Sequence, residues 1–415
     1  MPFVDRNREN AEGVREFIFK CLTFFSCVCL MMQIFSIPYR IYIFTSISNK
    51  ALLLLWILFG CYVLITQLLE RVSLPFVCIV FIVLMSFLSF GIAVVFEPQL
   101  FGSVGNLLGF FMLPLLLYCI KSTAVSYSVR KIVFVCNFIM SLQYILLYHS
   151  SLRHAFQGPN GIVNIESVTL GFPNPNQTAT MLLVCVILLF AAIFFFTNKA
   201  VRAVFFADFA YLSYIMFQTD SRTSLLLLLL FMVLSFFAIK KRLPKIMTEL
   251  SLLAPIVYLV LAIAFVSVLE FIQVSGDNIF TGRENIYARY FDNLTLVNFL
   301  FGDYAEFQFE NLHNGYISIA ATLGIVVLIA YYVFLRKILF DAYKLLKKGY
   351  ESVTYCGLLC LIICMSTEAG FFIGGSMYAF LIAMVFFLIP HAEEKGKRPL
   401  ENIKREGNPS INDEE

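Results

Sequence analysis

Apolar residues are arranged along the chain in long runs that contain almost no charge. Three of these runs are Ala51–Leu69, Pro75–Phe96 and Ser224–Ile239. Each is close to the ~20 residues that a helix needs to cross ~30 Å of hydrocarbon. The runs do not alternate apolar and polar residues, as the strands of a transmembrane barrel do. The pattern therefore predicts membrane-spanning α-helices.

Twelve such segments can be placed along the chain, which predicts an all-α polytopic membrane protein with about 12 transmembrane helices. The expected spans are near residues 17–35, 51–69, 75–96, 104–120, 131–148, 176–197, 203–218, 223–239, 250–270, 314–335, 353–369 and 376–390. They form a single transmembrane domain over residues 1–390, with a partly helical external loop between spans nine and ten. Residues 391–415 are charged and predict a disordered cytoplasmic tail.

Basic residues are unevenly divided between the two sides that twelve spans create. Only six of the 30 Lys and Arg residues fall on one side, and they are Arg40, Lys50, Arg153, Arg222, Arg283 and Arg289. Cytoplasmic loops carry the excess of Lys and Arg in membrane proteins. We therefore expect both termini in the cytoplasm and these six residues on the external side.

The composition supports this class of protein. Hydrophobic residues make up 60% of the 415 residues and charged residues 14%, and 46 residues are Phe. A soluble domain of this length has no interior large enough for so much apolar side chain. The first apolar run, Phe17–Phe35, is long for a signal peptide and lacks a small-residue cleavage site, so we interpret it as a retained anchor.

The sequence contains no pattern that predicts a metal or a cofactor. The 11 Cys residues lie almost entirely inside apolar runs, where Cys27 and Cys29 are expected to be small buried side chains. The short basic segments, such as Lys240–Lys245, contain neither an Asp-x-Asp pair nor a Gly-rich phosphate loop. We therefore expect no cofactor and no cytoplasmic nucleotide site.

Two external loops, about 149–175 and 271–313, are long enough to carry function. The first ends with Phe172–Asn176, where Asn174 or Asn176 can cap the following helix and leave its amides facing outward. The second contains an amphipathic stretch, 284–293, typical of a helix lying in the membrane interface. Asn176 is therefore a candidate substrate-binding residue.

The external Arg residues provide the candidate chemistry. Guanidinium groups bind the oxygens of a diphosphate without a metal, which makes Arg222, Arg283 and Arg289 candidates for holding one. The competing interpretation is that each Arg anchors a helix end in the headgroup region. The positive-inside bias works against this second interpretation for Arg222 and Arg283.

His313 and its neighbours form a second candidate group. A neutral imidazole near the membrane surface can take a proton from an attacking hydroxyl, or it can simply cap the helix that follows. Asn314 and Tyr287 are candidate substrate-binding residues beside it. Asp208 and Glu368 are acidic residues within apolar runs, and we assign neither a role.

Five short motifs in this order resemble the O-antigen ligase and Wzy-type polymerase superfamily. The motifs are Phe172–Asn176, Ser221-Arg222, Gly282-Arg283, Phe301-Gly302 and His313-Asn314 with Gly324 beyond. They cover roughly residues 170–335, and the twelve-span layout agrees over the rest. The chain departs from the pattern after Gly282-Arg283, where members often carry Trp and this chain has Tyr287 and Tyr290.

The resemblance implies a metal-independent inverting glycosyltransferase in the bacterial cytoplasmic membrane. Its donor would be a glycan on undecaprenyl diphosphate at the outer face, and its acceptor a lipid-linked repeat unit or a lipid A-core. Arg222, Arg283 and His313 would be the catalytic residues. We expect a surface-polysaccharide polymerase; a ligase, a flippase for lipid-linked oligosaccharide and a peptidoglycan polymerase are the alternatives.

Overall fold

The computed structural model shows an all-α polytopic membrane protein, as the hydropathy pattern predicts. It describes residues 2–36, 42–70, 72–123, 125–158, 161–172, 174–240, 243, 245–264, 273–274, 277–278, 283–292, 294–307, 312–368 and 376–390. The predicted C-terminal tail, 391–415, lies outside the described residues. Every predicted span coincides with helical structure.

The described helices follow one another with short connections. They are α1 Pro2–Ser36, α2 Tyr42–Glu70, α3 Leu74–Phe96, α4 Val104–Ser122, α5 Tyr127–Tyr148, α6 Pro175–Phe195, α7 Lys199–Phe217, α8 Arg222–Lys240, α9 Ile246–Ala264, α10 Arg283–Asp292, α11 Leu296–Phe301, α12 Tyr304–Phe307, α13 Gly315–Leu323, α14 Ile325–Leu345, α15 Tyr350–Cys364 and α16 Ser376–Phe386. A 3-10 helix, Pro98–Ser103, leads into α4. Two small antiparallel hairpins pair β1 Ala155–Gly158 with β2 Gly161–Asn164, and β3 Gln273–Val274 with β4 Asp277–Asn278.

Eight helices among the described residues are long and apolar enough to cross a membrane. They coincide with the first eight predicted spans. The helices at the last four predicted spans differ: α15 has 15 residues and α16 has 11, while α9 is apolar over 17 residues, Ile246–Ala262. The total of twelve spans therefore stays a prediction.

The tenth predicted span, 314–335, is not one continuous helix, so that expectation is wrong. It is divided at Gly324 into α13 and α14. Gly324 has φ +90°, and a Cβ built there would lie 2.1 Å from the carbonyl oxygen of Leu300. Gly302 also has a positive φ, +78°, and packs against the backbone of Thr322. The two glycines thus allow the backbone of the preceding loop to cross directly over the helix break.

The carbonyl groups near this break have partners from other segments. The amide of Asp303 donates to Ala321 O over 2.6 Å. The hydroxyl of Ser89, in α3, is within hydrogen-bonding distance of Phe301 O at 2.5 Å and Thr322 O at 3.2 Å. These contacts satisfy backbone groups that an interrupted helix would otherwise leave unpaired in an apolar interior.

Helix α15 lies at the centre of the bundle. Its residues from Val353 to Ile362 are buried without exception, and α6, α8, α9 and α16 surround it. Gly357 is packed so closely by α6 that an added Cβ would lie 2.2 Å from a side-chain carbon of Ile187. A helix that is apolar on all sides is expected in such a position.

Ion pairs join the helices at one end of the bundle, which we call the basic end. Asp341 binds both Lys121 and Lys337, each over 2.5 Å, and Arg130 lies 3.8 Å from Glu351. These residues come from α4, α5, α14 and α15. Two pairs join separate helices, while Lys337–Asp341 lies within α14, and together they close this end of the bundle.

Candidate functional site

Helices α6 and α8 run antiparallel to the central helix α15. The ring of Phe195, at the end of α6, lies 5.1 Å from that of Tyr350, at the start of α15. Leu243, just beyond α8, accepts a hydrogen bond from Tyr343, whose ring lies 6.1 Å from that of Tyr355 in α15. The first residues of α6 and α8 therefore lie with the last residues of α15, at what we call the outer end.

Arg222 lies at the same height in the bundle as Glu368. Ser235 of α8 is close to Cys356 of α15. From this point, 13 residues along α8 lead to Arg222 and 12 residues along α15 lead to Glu368, distances of about 20 Å and about 18 Å. The amide of Glu368 donates to Cys364 O over 2.9 Å, so the helical path continues to it.

The same construction brings Asn176 to this height. From the contact between Ile187 and Gly357, 11 residues along each helix lead to Asn176 and to Glu368, about 17 Å in both cases. Asn174 is the N-cap of α6, with its side chain accepting the amide of Asn176 over 2.8 Å. The cap is therefore Asn174, and Asn176 is a half-buried residue of the first turn.

Asn314 connects three segments at the outer end. Its side-chain oxygen accepts the amides of Tyr316 and Ile317 over 3.0 and 3.2 Å, which makes it the N-cap of α13. Its side-chain nitrogen donates to Pro255 O over 2.9 Å and is 3.4 Å from Ser366 O. Asn314 is fully buried. Because its polar atoms are all engaged in this way, we interpret it as a residue that positions His313.

His313 is half-buried and has φ +52°, a left-handed conformation that costs a non-glycine residue free energy. The cap of α13 is Asn314, so the alternative interpretation of His313 as the capping residue is wrong. Gly315, two residues further, donates its amide to Met365 O over 2.8 Å. The strained backbone at His313 is thus held between a buried cap and the turn that follows α15.

Helix α10 carries the other two predicted Arg residues close to His313. Tyr287 is fully buried in an apolar cluster that includes Leu312 and Ile317, on either side of His313 in the sequence. Arg283 precedes Tyr287 by four residues, so its backbone lies one turn away on the same side of α10. The side chains of Arg283 and Arg289 lie outside the described residues. Tyr287 is placed as a packing residue, and its predicted substrate contact stays a prediction.

The first long loop, 149–175, packs on the outer end. The amide of Val168 donates to Gln218 O over 3.0 Å, and the hydroxyl of Ser167 donates to Asp220 over 3.2 Å. Arg222, two residues beyond Asp220, is exposed at the start of α8. The loop therefore lies beside the exposed guanidinium group.

Glu368 is the residue at this location for which sequence reasoning gave no role. It is half-buried and close enough to Tyr378, in α16, for the two groups to interact electrostatically. An acidic residue near the end of an apolar run is a signal for function in a membrane protein. The sequence contains this signal but does not indicate which helices lie beside it.

Asp208, the other acidic residue in an apolar run, is not part of this group. It lies nine residues before the end of α7, about 13 Å below the outer end. Its side chain is buried and accepts a hydrogen bond from the hydroxyl of Ser141 in α5. This contact joins α5 to α7 within the apolar interior.

The outer end thus brings together Asn176, Arg222, His313 and Asn314 around the turn Met365–Glu368. Within the part of the chain that the structure describes, no group of three or more His, Cys, Asp or Glu is arranged to hold a metal ion. No protein-family model and no curated protein sequence matches this chain.

Proposed function

We propose that this protein is a glycosyltransferase that uses a glycan on undecaprenyl diphosphate at the outer face of the bacterial inner membrane. The observation that carries the proposal is the convergence of Asn176, Arg222 and His313 around the end of α15. These residues are separated by up to 137 positions in the sequence. Their grouping at one end of a membrane bundle supports a site for an anionic lipid headgroup.

The electrostatic requirement of the reaction matches the residue types present. The leaving group is a diphosphate, and negative charge develops on it as the glycosidic bond breaks. Arg222 is exposed at this location, and α10 brings the backbone of Arg283 beside His313. Guanidinium groups aimed at the departing diphosphate stabilise that charge in the transition state.

The proposed mechanism is a single displacement. A hydroxyl oxygen of the acceptor forms a bond to the anomeric carbon, while the bond from that carbon to the diphosphate oxygen breaks. The hydroxyl proton passes to the imidazole of His313, and the electron pair of the broken bond stays on undecaprenyl diphosphate. The configuration at the anomeric carbon is inverted, and no covalent enzyme intermediate forms.

The acceptor we propose is a second lipid-linked repeat unit, so the protein polymerises surface polysaccharide. Transfer to a lipid A-core or to a protein, as in a ligase, is the alternative. The loop between α9 and α13 consists of short helices that pack back onto the bundle through Tyr287, Tyr290 and Phe307. This compact loop favours a small lipid-linked acceptor over a large one.

The break at Gly324 supports a second candidate function of a different class. Transporters place their substrate sites at interrupted helices near the middle of the membrane. Helix α13 has nine residues, so the break lies about 14 Å from its outer end. A flippase for lipid-linked oligosaccharide is therefore the second candidate.

Purified protein supplied with lipid-linked repeat units separates these candidates. New glycosidic bonds, detected by mass spectrometry of the polymer, support the polymerase; movement of the substrate across a liposome bilayer without product supports the flippase. His313→Ala is expected to lower the rate of polymer formation ~10²- to 10⁴-fold because it removes the proton acceptor. Arg222→Ala is expected to lower it ~10²-fold or more.

Two control variants match these changes. His149→Ala removes an exposed His elsewhere on the outer end, and Arg202→Ala removes an exposed Arg from α7 near the basic end. Both are expected to polymerise at the wild-type rate. Polymer of wild-type amount and length from both His313→Ala and Arg222→Ala would overturn the proposed site.

A further inference from the structure

A cavity of about 400 Å³ lies between α1 and α5, away from the outer end. The two helices run parallel at this point. The thiol of Cys136 is 3.8 Å from Cys27 O, and one turn to two turns further along, the side chain of Gln143 donates to Met31 O over 3.3 Å. The groove between them therefore follows the helix axes and opens on the surface that faces lipid.

The lining of this groove separates sharply into two parts. Two Lys residues, Lys20 and Lys131, lie at one end together with Ser128. This is the basic end of the bundle, because Arg130 next to Lys131 contacts Glu351 there. Beyond the Lys pair, the wall is entirely apolar or thiol, and includes Phe24, Cys27, Met31, Val135, Cys136 and Ile139.

The length of the apolar part suits one lipid chain. Eleven residues of α1 separate Lys20 from Met31, which corresponds to about 16 Å along the helix axis. One leaflet of the hydrocarbon core is about 15 Å deep, half of the ~30 Å of the bilayer. A chain that begins at the Lys pair would therefore follow the groove through one leaflet.

The charge of the Lys pair is not neutralised by the protein. Among the residues that the structure describes, no carboxylate lies within 4 Å of Lys20 or Lys131, and both side chains are exposed. Two ammonium groups and the hydroxyl of Ser128 thus surround the mouth of an apolar groove. This combination complements a molecule with an anionic head and a hydrocarbon tail.

A second cavity near the basic end, of about 290 Å³, lacks this property. Its cations Arg336 and Lys337 are paired with Glu249 and Asp341. Burial works to raise the pKa of Asp341, but hydrogen bonds from Lys121 and Lys337 outweigh it and hold the pKa below its ordinary value. Asp341 therefore stays ionised and offsets the positive charge, so this cavity is the weaker anion site.

We propose that the α1–α5 groove binds one anionic phospholipid. Its phosphodiester lies between the ammonium groups of Lys20 and Lys131, with Ser128 as a further hydrogen-bond donor. One acyl chain lies along Phe24, Met31, Val135 and Ile139. The site is separate from the proposed glycosyltransferase site and does not depend on that function.

The test measures lipid binding to purified protein in neutral detergent by native mass spectrometry and thermal shift. Phosphatidylglycerol is expected to bind and to raise the unfolding temperature, whereas zwitterionic phosphatidylethanolamine is not. The double variant Lys20→Gln/Lys131→Gln is expected to bind phosphatidylglycerol ~25-fold more weakly, about fivefold for each ammonium group removed. The matched control Lys199→Gln/Lys348→Gln, which changes two exposed Lys residues outside the groove, is expected to bind as wild type does.

A third variant tests the apolar part. Val135→Trp fills the groove while both Lys residues remain; its side chain is 45% exposed, so the helix interface tolerates the change. It is expected to abolish lipid binding, and Ile139→Trp replaces it if the folded protein is not recovered. The proposal is overturned if the Lys double variant binds phosphatidylglycerol as wild type does. It is equally overturned if inorganic phosphate binds as tightly as the lipid and Val135→Trp has no effect, since the site would then bind an anion alone.

Discussion

The two ends of the bundle are stabilised in different ways. At the basic end, ion pairs join the helices, as in the contacts of Asp341 with Lys121 and Lys337. At the outer end, the backbone takes unusual conformations: Leu170, Asp220 and His313 all have positive φ without being glycine. Sparsely populated backbone conformations cluster at functional sites, where the surrounding structure holds them. The comparison indicates that the basic end serves stability and that the outer end serves binding and chemistry.

This difference follows from what each end must do. A membrane bundle needs a fixed orientation, which basic residues at one end provide through the headgroups and the positive-inside bias. A site for a charged lipid headgroup needs side chains at defined positions, and those positions require caps and close backbone crossings. Asn314 and Gly324 provide one of each.

The largest effect is expected from Gly324→Ala. A Cβ at this position would lie 2.1 Å from Leu300 O, and the φ of +90° is unfavourable for alanine. We expect the free energy of unfolding to fall by more than about 3 kcal/mol, so that little folded protein is recovered. Size-exclusion chromatography and thermal unfolding in detergent measure this change.

Gly91→Ala is the matched control, because no heavy atom lies within 4 Å of an added Cβ in that helix position. Its expected change is neutral or a stabilisation of up to about 1 kcal/mol. Wild-type stability of Gly324→Ala would show that the crossing at the helix break is not required. The outer end would then lose its main structural distinction.

The next largest effect is expected from Asn314→Ala. The substitution removes two cap hydrogen bonds and leaves the carbonyl groups of Pro255 and Ser366 without their donor in a buried location. We expect a loss of about 2 kcal/mol in the free energy of unfolding. Asn198→Ala removes an exposed cap at the start of α7, near the basic end, and is expected to cost about 1 kcal/mol or less. Equal losses from the two variants would contradict a special role for the outer cap.

Most of the fold could be predicted from the sequence, because a run of about 20 apolar residues has few alternatives to a membrane helix. The first eight spans agree with helices such as α3 and α6. The break at Gly324 could not be predicted, because this glycine lies in an ordinary apolar run. Its reason is the crossing of Leu300 over the same point, a contact between distant segments.

The candidate site was predictable in its residues but not in its geometry. External placement selected Arg222 and His313, because the positive-inside bias leaves few basic residues on that side. Their convergence depends on α6, α8 and α13 being neighbours of α15, which a single sequence does not contain. Glu368 was left without a role for the same reason, since its position beside Tyr378 is set by packing.

Glu368→Gln tests whether this additional residue belongs to the site. It removes a charge at the height of Arg222 while keeping the shape of the side chain. We expect polymer formation to fall about tenfold, a loss of about 1.4 kcal/mol in transition-state stabilisation, without a change in the unfolding temperature. Asp208→Asn, in the apolar interior, is the matched control and is expected to leave the rate within about twofold. A larger loss of rate from Asp208→Asn than from Glu368→Gln would exclude Glu368 from the site.

The smallest effect is expected from Lys337→Ala at the basic end. The ammonium group of Lys337 lies 2.5 Å from Asp341 on the same helix, but Lys121 binds the same carboxylate and remains in the variant. A partly exposed pair of this spacing contributes about 0.5 kcal/mol. Thermal unfolding of Lys337→Ala is therefore expected to differ little from wild type, and polymer formation is expected to be unchanged. If this variant were less stable than Asn314→Ala, stability would depend on single ion pairs at the basic end more than on the caps and crossings of the outer end, and the division between the two ends would be reversed.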